Sequence, residues 1–431
     1  MSYSTSVNEP YGVVARRTGR EPFANQQGQV VITPAGTWVC GWTRAREGAP
    51  DDQAAVVARS TDDGRTWGQP IVVEGPTEAS LTPSSLQLFA VPHTGRLYAF
   101  YWWHAGPNPP CDPGSLYMRY SDDDGRSWSR PHPPASRRYQ LPMPRHAAVD
   151  EEDQPLHGWS SGLPKIMPDG RVVFTFAKIR PSTVAPWLEA RRRIEERSSD
   201  PEEAHASVWH TQAFLMVAEN LLSQTDPLKI AFTVLPEGSA GVCARLPRGV
   251  VSGDELCVEA LANGDWLGTF RTPAGCLYFA TSSDGGRTWG SPQPLRFCHG
   301  GPAIPHPNSS HALSRLADGR FVLLLHNNAG DANGGVGPWD HSRVCTPLWV
   351  AVGRELRHRT TGQRIVWGAP KVIVDNHANF AEGPWPRRTD LSHPQFIEWA
   401  GRYFVAYTDC GRDILLNEVD PRLADDFGLP A

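Results

Sequence analysis

The sequence predicts an all-β protein: a single six-bladed β-propeller domain formed by residues 1–431, with a short helical insertion around residues 184–204. Three observations predict it: six copies of a strand–turn–strand pattern, three copies of one turn phrase, and an unusual number of tryptophans. Of the 431 residues, 40 are Gly, 40 are Pro and 16 are Trp. Turn-rich chains with an aromatic motif in each blade are typical of repeated all-β folds.

The strand–turn–strand pattern is the strongest of these observations. Each copy is an apolar or alternating stretch, a Gly-centred turn and a second β-rich stretch, which is typical of a β-hairpin. Glycine suits the turn because it adopts a left-handed conformation that other residues adopt only at a cost. Six such units, spaced widely enough for two further strands each, predict six four-stranded blades. The copies are QVVITPAGTWVCGW, LQLFAVPHTGRLYAFYW, LPKIMPDGRVVFTF, LCVEALANGDWLGTF, ALSRLADGRFVLLL and PQFIEWAGRYFVAY, and their turn glycines are Gly36, Gly95, Gly170, Gly264, Gly319 and Gly401.

The repeated turn phrase is Ser-x-Asp-x-Gly-x-Thr/Ser-Trp, which begins at Ser60, Ser121 and Ser282. Its Asp can accept backbone N–H bonds within its own turn, its Gly can take the left-handed position, and its Trp can pack on the sheet. The phrase is therefore interpreted as a fold marker between the outer strands of a blade, without a chemical role. A degenerate fourth copy, TTGQRIVWGAP, begins at Thr360.

One segment does not fit a propeller. Residues 184–210, VAPWLEARRRIEERSSDPEEAHASVWH, have helix-forming composition and opposite charges at i,i+4 spacing. We expect a helical insertion on a loop of the third blade, serving as a lid, as an oligomer contact or as a surface decoration.

Composition excludes several classes of function. A net charge of −5 argues against nucleic-acid binding, which leaves a basic footprint. The first residues do not resemble a signal peptide, and no stretch approaches the roughly 18 consecutive apolar residues of a membrane span. The eight cysteines are scattered without a C-x-x-C pair, which favours a reduced, cytoplasmic protein with buried thiols. We expect no cofactor, no nucleic-acid partner and no membrane partner.

The candidate site lies where the innermost strands begin, at the mouth of the central channel. Counting back eight or nine residues from each turn glycine gives the positions that should line it. Most are polar or small, and a carboxylate, two imidazoles and several hydroxyls converging on one axis indicate a functional site. The positions are Gln27/Gly28, Leu86/Gln87, Ser161/Gly162, Glu255/Leu256, Ser310/His311 and Ser392/His393.

The blades and the turn phrase, known as the Asp-box, resemble the sialidase (neuraminidase) superfamily along nearly the whole chain. The resemblance implies three arginines that hold a substrate carboxylate, a Tyr nucleophile assisted by a Glu, and an Asp acid/base. In GDELCVEALANGDWLGTFRT it implies that Glu255 is the assisting Glu and Arg271 the second arginine. It likewise matches Arg343, in DHSRVCTPLWVAV, to the third arginine, and Asp51 or Asp52, in the loop before the first Asp-box, to the acid/base.

Two positions depart from the pattern of that superfamily. Where the first arginine is expected, the sequence has Asn25, Gln26 and Gln27. Where the nucleophilic Tyr is expected, LSHPQF places His393. The nearby Tyr403 and Tyr407 are interpreted as packing residues. The Tyr nucleophile of a retaining sialidase mechanism is therefore missing at the position where the resemblance expects it.

The remaining residues allow a different assignment of roles. Arg271 and Arg343 suit a carboxylate ligand, although each could instead pair with a protein carboxylate. Because histidine side chains suit proton transfer near neutral pH, His393 could act as general acid or base with Glu255, or it could cap the end of a blade. Side chains expected to bind sugar hydroxyls, unless their loops only satisfy their own backbone, are Gln27, Ser161, Asn308, Ser310 and His311.

Three functions follow from these residues. The leading hypothesis is a sialidase-like exo-glycosidase that cleaves a terminal, carboxylate-bearing sugar from a small molecule or an oligosaccharide. The second is a uronate lyase that acts by β-elimination with His393 as base. The third is a non-catalytic glycan-binding propeller. No metal site is predicted at His306, His311 and His393, because their spacing is not typical of metal ligands.

Overall fold

The structure is a computed structural model of the chain. It describes residues 5–6, 9–17, 23–46, 49–75, 82–106, 112–129, 140–148, 157–195, 209–356, 362–376 and 390–423.

The described residues form 28 strands, which are numbered here in chain order. The first fourteen are β1 (Thr5–Ser6), β2 (Gly12–Ala15), β3 (Phe23–Ile32), β4 (Trp38–Arg46), β5 (Ala49–Ser60), β6 (Ile71–Glu74), β7 (Thr82–Ala90), β8 (Leu97–His104), β9 (Gly114–Ser121), β10 (His157–Ser160), β11 (Lys165–Ile166), β12 (Val172–Ile179), β13 (Thr211–Ala218) and β14 (Phe232–Leu235). The others are β15 (Ala244–Arg245), β16 (Val251–Ser252), β17 (Asp254–Ala260), β18 (Trp266–Arg271), β19 (Tyr278–Ser282), β20 (Gln293–Pro294), β21 (Ala312–Arg315), β22 (Phe321–Leu325), β23 (Leu348–Glu355), β24 (Ile365–Trp367), β25 (Lys371–Asp375), β26 (Leu391–Trp399), β27 (Arg402–Asp409) and β28 (Asp413–Val419).

These strands form six blades arranged as a β-propeller, which confirms the predicted fold class. The inner two strands of each blade are one of the six predicted hairpins, and the turn glycines of all six have φ between 72° and 89°. In blade 3 the innermost strand is divided into β10 and β11, which both pair with β12. Blades 1 to 6 are built on β3–β6, β7–β9, β10–β14, β17–β20, β21–β25 and β26–β28, respectively, and β15 pairs with β16 ahead of blade 4.

The N-terminal strands complete the last two blades. Strand β2 pairs antiparallel with β28 as the outer strand of blade 6, and β1 pairs parallel with β25 of blade 5. The beginning and the end of the described chain are therefore joined in one sheet, which closes the ring.

The core is divided into six apolar clusters, each between two successive blades. Blades 1 and 2 meet at Val57 and Leu88, for example, and blades 3 and 4 at Val173 and Leu256. The same arrangement fills the interfaces between blades 2 and 3, 4 and 5, 5 and 6, and 6 and 1. Because both faces of a blade are buried against neighbours, its strands are more continuously apolar than those of a one-sided sheet.

The three Asp-boxes form the predicted turns. In the first, the carboxylate of Asp62 accepts bonds from the Thr66 backbone N–H at 2.9 Å, the Thr66 hydroxyl at 2.6 Å and the Ser60 hydroxyl at 2.7 Å. The Trp67 indole N–H donates to the Gly64 carbonyl. The same carboxylate contacts recur in the second and third boxes.

The Asp-boxes lie at the end of the blades that carries the hairpin turns. Ser60 pairs with Trp38 and Ser282 with Trp266, and both tryptophans follow a turn glycine closely. This end is opposite the beginnings of the innermost strands. The degenerate fourth copy keeps the closing bond of the motif, since Gly368 N–H donates to Val352 O as Gly68 does to Arg59 O.

The predicted helical insertion is present between β12 and β13. A 3₁₀ turn (Pro181–Thr183) leads into a helix (Val184–Glu195), and residues 196–208 of the predicted segment lie outside the described residues. Two one-turn helices lie at Arg145–Ala148 and His341–Val344, and the helices are numbered α1 to α3 in chain order, so that the insertion is α2. Further 3₁₀ turns span Pro227–Lys229, Pro247–Gly249, Ala332–Gly334 and Pro421–Leu423. Within the described residues, no helix is long and apolar enough to span a membrane.

Candidate functional site

A β-bulge near the beginning of four innermost strands shapes the mouth of the channel. Each bulge holds a non-glycine residue in the left-handed region, with φ of 61° at Gln27, 53° at Ser85, 51° at Glu255 and 50° at His393. Such residues are strained, and strained residues cluster at functional sites. A bulge also redirects a side chain relative to the regular alternation of a strand.

The count from the turn glycines located this ring with one error. The left-handed residue of blade 2 is Ser85, one position before the expected Leu86/Gln87 pair. Leu86 is buried in the core between blades 1 and 2. The amide of Gln87 donates to the carbonyls of Ser161 and Gly162, so that it links blades 2 and 3.

The centre of the candidate site is a group of four charged or titratable side chains from blades 4 and 6. Arg271 lies at the end of β18, opposite Asp254 in β17, and its Nη2 is 2.8 Å from Asp254 Oδ2. The same Nη2 is 3.6 Å from Glu255 Oε1, which in turn is 3.6 Å from His393 Nε2. Asp254, Glu255 and Arg271 are buried, whereas the His393 side chain is 19% exposed and gives the group access to the mouth.

Burial changes the protonation of Glu255. Removal of Glu255 from water raises its pKa to about 7, the positive charge of Arg271 opposes this shift, and the charge of Asp254 adds to it. Glu255 therefore changes charge near neutral pH beside an imidazole, which is the property required of a proton-transferring pair. Glu255 Oε2 is also buried and has no hydrogen-bond partner among the described residues.

Trp159, in β10 of blade 3, covers this group from the side. Its indole N–H donates to Asp254 Oδ1 at 2.9 Å, and the Arg271 guanidinium lies 5.4 Å from its ring centroid. The His393 ring meets it edge-on at 6.1 Å. Trp159 thus contacts three of the four members of the group.

The predicted polar turn of blade 5 contributes one backbone carbonyl and two side chains. Asn308 O accepts a bond from Arg271 Nη1 at 2.9 Å, and the Ser310 hydroxyl accepts one from His393 N at 2.7 Å. His311 Nε2 lies 3.0 Å from the Thr269 hydroxyl. Asn308 Oδ1 and Arg271 Nε are buried without a hydrogen-bond partner among the described residues, and both remain candidate ligand contacts.

The histidines behind this turn are neutral. Burial, together with the charge of Arg271, lowers the pKa of His311 to about 3. Burial also lowers the pKa of His306, which lies 5.9 Å from His311 and stacks on His326 at 5.6 Å. Within the described ranges, no group of three or more His, Cys, Asp or Glu side chains is arranged to hold a metal ion.

Arg343 lies in α3 and forms a buried ion pair with Asp340, one turn earlier. Both arginines assigned to a carboxylate ligand therefore contact protein carboxylates, as the alternative interpretation expected. A ligand role for Arg271 and Arg343 stays a prediction.

The blade 1 residues are placed differently from the expectation. Asp51 and Asp52 were expected in a loop, but they belong to β5, because β4 and β5 form an extended hairpin. The exposed Asp52 pairs with Arg46 at 2.8 Å, whereas the side chain of Asp51 lies outside the described part. Asn25, in the place of the missing arginine, donates to Arg412 O and accepts from the Trp42 indole N–H.

A cavity lies among the innermost strands of blades 1, 3, 4, 5 and 6. Ser161, Ser310, His311, Glu255 and His393 lie at or beside it, and further lining comes from Gln29, Lys165, Thr175, Ser314 and Gln395. In blade 6, Tyr407 is buried and Tyr403 packs against the same core, as predicted.

The sequence interpretation missed three residues: Asp254, Trp159 and Asp340. Asp254 precedes Glu255 directly and lies opposite Arg271, so the paired acids at the strand start were the available signal. Trp159 lies two residues before Ser161, the position at which blade 3 was expected to line the mouth. Asp340 precedes Arg343 by three residues, the spacing of an ion pair on one helical turn.

A family model and a curated protein both match part or most of this chain. The family model described as BNR repeat-like domain matches residues 36–405. A curated sialidase from Micromonospora viridifaciens is 33% identical over 158 residues, which span 33% of this chain but only 22% of that protein.

Solved structures match along nearly the whole chain. The intramolecular trans-sialidase from Ruminococcus gnavus, in complex with oseltamivir carboxylate, aligns with a TM-score of 0.59 and 12% identity over 93% of this chain and 95% of that one. A protein of unknown function from Dyadobacter fermentans aligns with a TM-score of 0.56 and 16% identity over 94% and 95% of the two chains. At these identities the likeness shows the fold alone.

Proposed function

Because the chain belongs to the BNR repeat-like family and is a divergent member of the sialidase superfamily, we propose that it is a glycoside hydrolase that cleaves a terminal sugar at the channel mouth. Family and fold support a glycosidase-like or glycan-binding function. The observation that carries the finer proposal is the Glu255–His393 pair, in which a buried carboxyl with a pKa of about 7 lies 3.6 Å from an imidazole.

The proposed step uses this pair as a base. The His393 imidazole takes a proton from a water molecule, and the ionised Glu255 stabilises the imidazolium that forms. The water oxygen forms a bond to the anomeric carbon as the glycosidic C–O bond breaks. The leaving oxygen takes a proton from a carboxylic acid, a role for which Asp51 and Asp52 stay the predicted candidates. Products therefore equal substrate plus one water.

The substrate is proposed to carry a carboxylate near Arg271. The Nε–H of this arginine is buried without a hydrogen-bond partner among the described residues, and a guanidinium donor suits a carboxylate oxygen. Asp254 and Glu255 already neutralise the guanidinium. A substrate carboxylate would therefore bind best when Glu255 is protonated, in opposition to the base role.

The test is mass spectrometry of products after incubation with terminal sialosides, glucuronosides and matched neutral glycosides. Products that sum to substrate plus one water support the proposal, and turnover of only the neutral glycosides would remove its carboxylate part. Products that sum to the substrate mass, with a new double bond, would instead support the uronate lyase with His393 as base. Thermal stabilisation by a glycan without turnover would leave a binding propeller.

Variants assign the step to the pair. We expect His393→Ala to reduce kcat by about 10²–10⁴, the usual contribution of a general base. His93→Ala, at an exposed turn residue of the opposite face, is the matched control and should leave kcat unchanged. In the wild type, kcat should rise as pH rises through about 7, because Glu255 becomes ionised there. Loss of this rise in Glu255→Gln would attribute it to Glu255, whereas an unchanged profile would contradict the assignment.

A further inference from the structure

The helical insertion of blade 3 is connected to the candidate site by a continuous series of aromatic contacts. Trp187 of α2 stacks on Trp209, with ring centroids 4.2 Å apart and planes at 15°. Trp209 in turn contacts Trp159 at 6.1 Å. The series thus ends on the indole that donates to Asp254 and borders Arg271 and His393.

These tryptophans form an apolar cluster separate from the six inter-blade cores. Its buried members are Ile179, Val184 and Trp209, with Trp159 and Trp187 packed against them. Three of the five lie within or directly beside the insertion and two in blade 3. The cluster therefore packs the beginning of α2 and Trp209 against blade 3 beside the candidate site.

Hydrogen bonds also connect the two ends of the insertion. Arg180 N–H donates to His210 O at 2.9 Å, and His210 N–H donates to the Thr183 hydroxyl at 3.0 Å. Because both ends of the insertion are held by these bonds, the position of Trp187 is coupled to the blade rather than independent of it.

We propose that Trp187 of the insertion is a positioning residue for the candidate site. It acts through Trp209 and Trp159 on the group formed by Asp254, Glu255, Arg271 and His393. Its effect on turnover rests on the proposed function, whereas its effect on Asp254 does not.

The physical reason is the demand for fixed geometry around buried charges. The indole N–H of Trp159 satisfies one oxygen of a buried carboxylate, and a buried oxygen that loses such a bond costs free energy. The ring face also covers a guanidinium that must stay close to two carboxylates. If Trp159 gains freedom to rotate, Arg271 and Glu255 move relative to His393, and small displacements at a reacting centre can reduce rates about a hundredfold.

The experiment is two-dimensional nitrogen–proton correlation NMR of the full chain. In this spectrum each of the 16 tryptophans gives one indole N–H signal. Trp159→Phe identifies the signal of the Trp159 N–H that donates to Asp254. In Trp187→Ala we expect this signal to shift or broaden, although Trp187 does not touch Asp254. Trp187→Phe, which keeps an aromatic ring in the stack, should restore it at least in part.

Leu188→Ala is the matched control, because Leu188 neighbours Trp187 on α2 and is 45% exposed. It should leave the Trp159 signal in place. An unchanged Trp159 signal in a folded Trp187→Ala protein would overturn the proposal and return the insertion to a surface decoration. If that variant does not fold, Trp187→Leu, which keeps apolar volume without an aromatic ring, makes the same comparison.

Turnover gives the second measurement. With any glycoside that the wild type cleaves, Trp187→Ala should lower kcat by about tenfold or more while KM changes less, because the reacting groups rather than the binding surface are displaced. A change in KM alone would contradict the positioning role. If no glycoside is cleaved, the proposed function fails, and the NMR comparison still decides the inference.

Discussion

At the scale of single residues, the site is determined by where charge is buried. Asp254, Glu255 and Arg271 are buried together, and only His393 of the group is partly exposed. Glu255 and His393 were predicted from their distance before the turn glycines, and Arg271 from the resemblance to sialidases. The sequence interpretation did not find Asp254, because the partner of a buried arginine depends on which residue lies opposite it across the hairpin.

Stability should depend on the charge of Glu255. The folded-state pKa of about 7 lies above the ordinary glutamate value of 4.5, so between these values the folded protein holds a proton that the unfolded chain releases. The free energy of unfolding therefore falls as pH rises through this window, by roughly 3 kcal/mol in total. Glu255→Gln lacks this loss and should exceed the wild type in stability at pH 8 but hardly at pH 4.

Urea unfolding of both proteins at the two pH values measures this effect. Glu418→Gln is the control, because the hydrogen bonds from Arg402 lower the pKa of Glu418 and give the opposite sign. A Glu255→Gln protein that is no more stable than the wild type at pH 8 would mean that Glu255 is ionised at little cost.

At the scale of elements, the hairpin turns and Asp-boxes lie at one end of a blade and the β-bulges lie at the other. The turns with Asp-boxes are local: each carboxylate is satisfied by residues within four positions of it. They were predictable for that reason. The bulges were only approximately located, since the left-handed residue lies eight, nine or ten positions before the turn glycine, at His393, Glu255 and Ser85, respectively. A shift of one residue exchanges the two faces of a strand.

An Asp-box carboxylate should therefore stabilise the protein without influencing the mouth. Asp284→Ala removes the acceptor of three bonds, from the Thr288 backbone N–H, the Thr288 hydroxyl and the Ser282 hydroxyl. We expect a loss of about 1–3 kcal/mol in the free energy of unfolding. Ser283→Ala, at an exposed residue of the same turn, should change it by less than about 0.5 kcal/mol. Equal effects of the two variants would refute a structural role for the carboxylate.

At the scale of the whole molecule, closure of the ring depends on a short N-terminal strand. Strand β2 supplies the outer strand of blade 6, and its Val14 is buried in the cluster between blades 6 and 1. Its neighbour Val13 points the other way and is 36% exposed. Blade 6 places His393 opposite Glu255 of blade 4, so closure and the candidate site depend on each other.

The same substitution is expected to have very different effects at these two neighbours. Val14→Asp places a carboxylate in an apolar cluster and should reduce the free energy of unfolding by about 3 kcal/mol or more. Val13→Asp should have an effect near zero, because its carboxylate stays in water. Chemical unfolding followed by tryptophan fluorescence measures both. Similar losses from the two substitutions would contradict the closure described here.

The six hairpins, the Asp-box turns and the helical insertion could be predicted from the sequence, because each depends on contacts within a few residues: a left-handed glycine, a carboxylate over its own turn, or charges one helical turn apart. The sequence also predicted a polar channel mouth. Which polar groups meet there depends on the tertiary structure. Glu255 and His393 are brought together by ring closure, Arg271 and Arg343 take protein carboxylates as partners, and the insertion reaches the site through three tryptophans. Such pairings depend on strand register and on the order of blades around the axis, neither of which a local pattern contains.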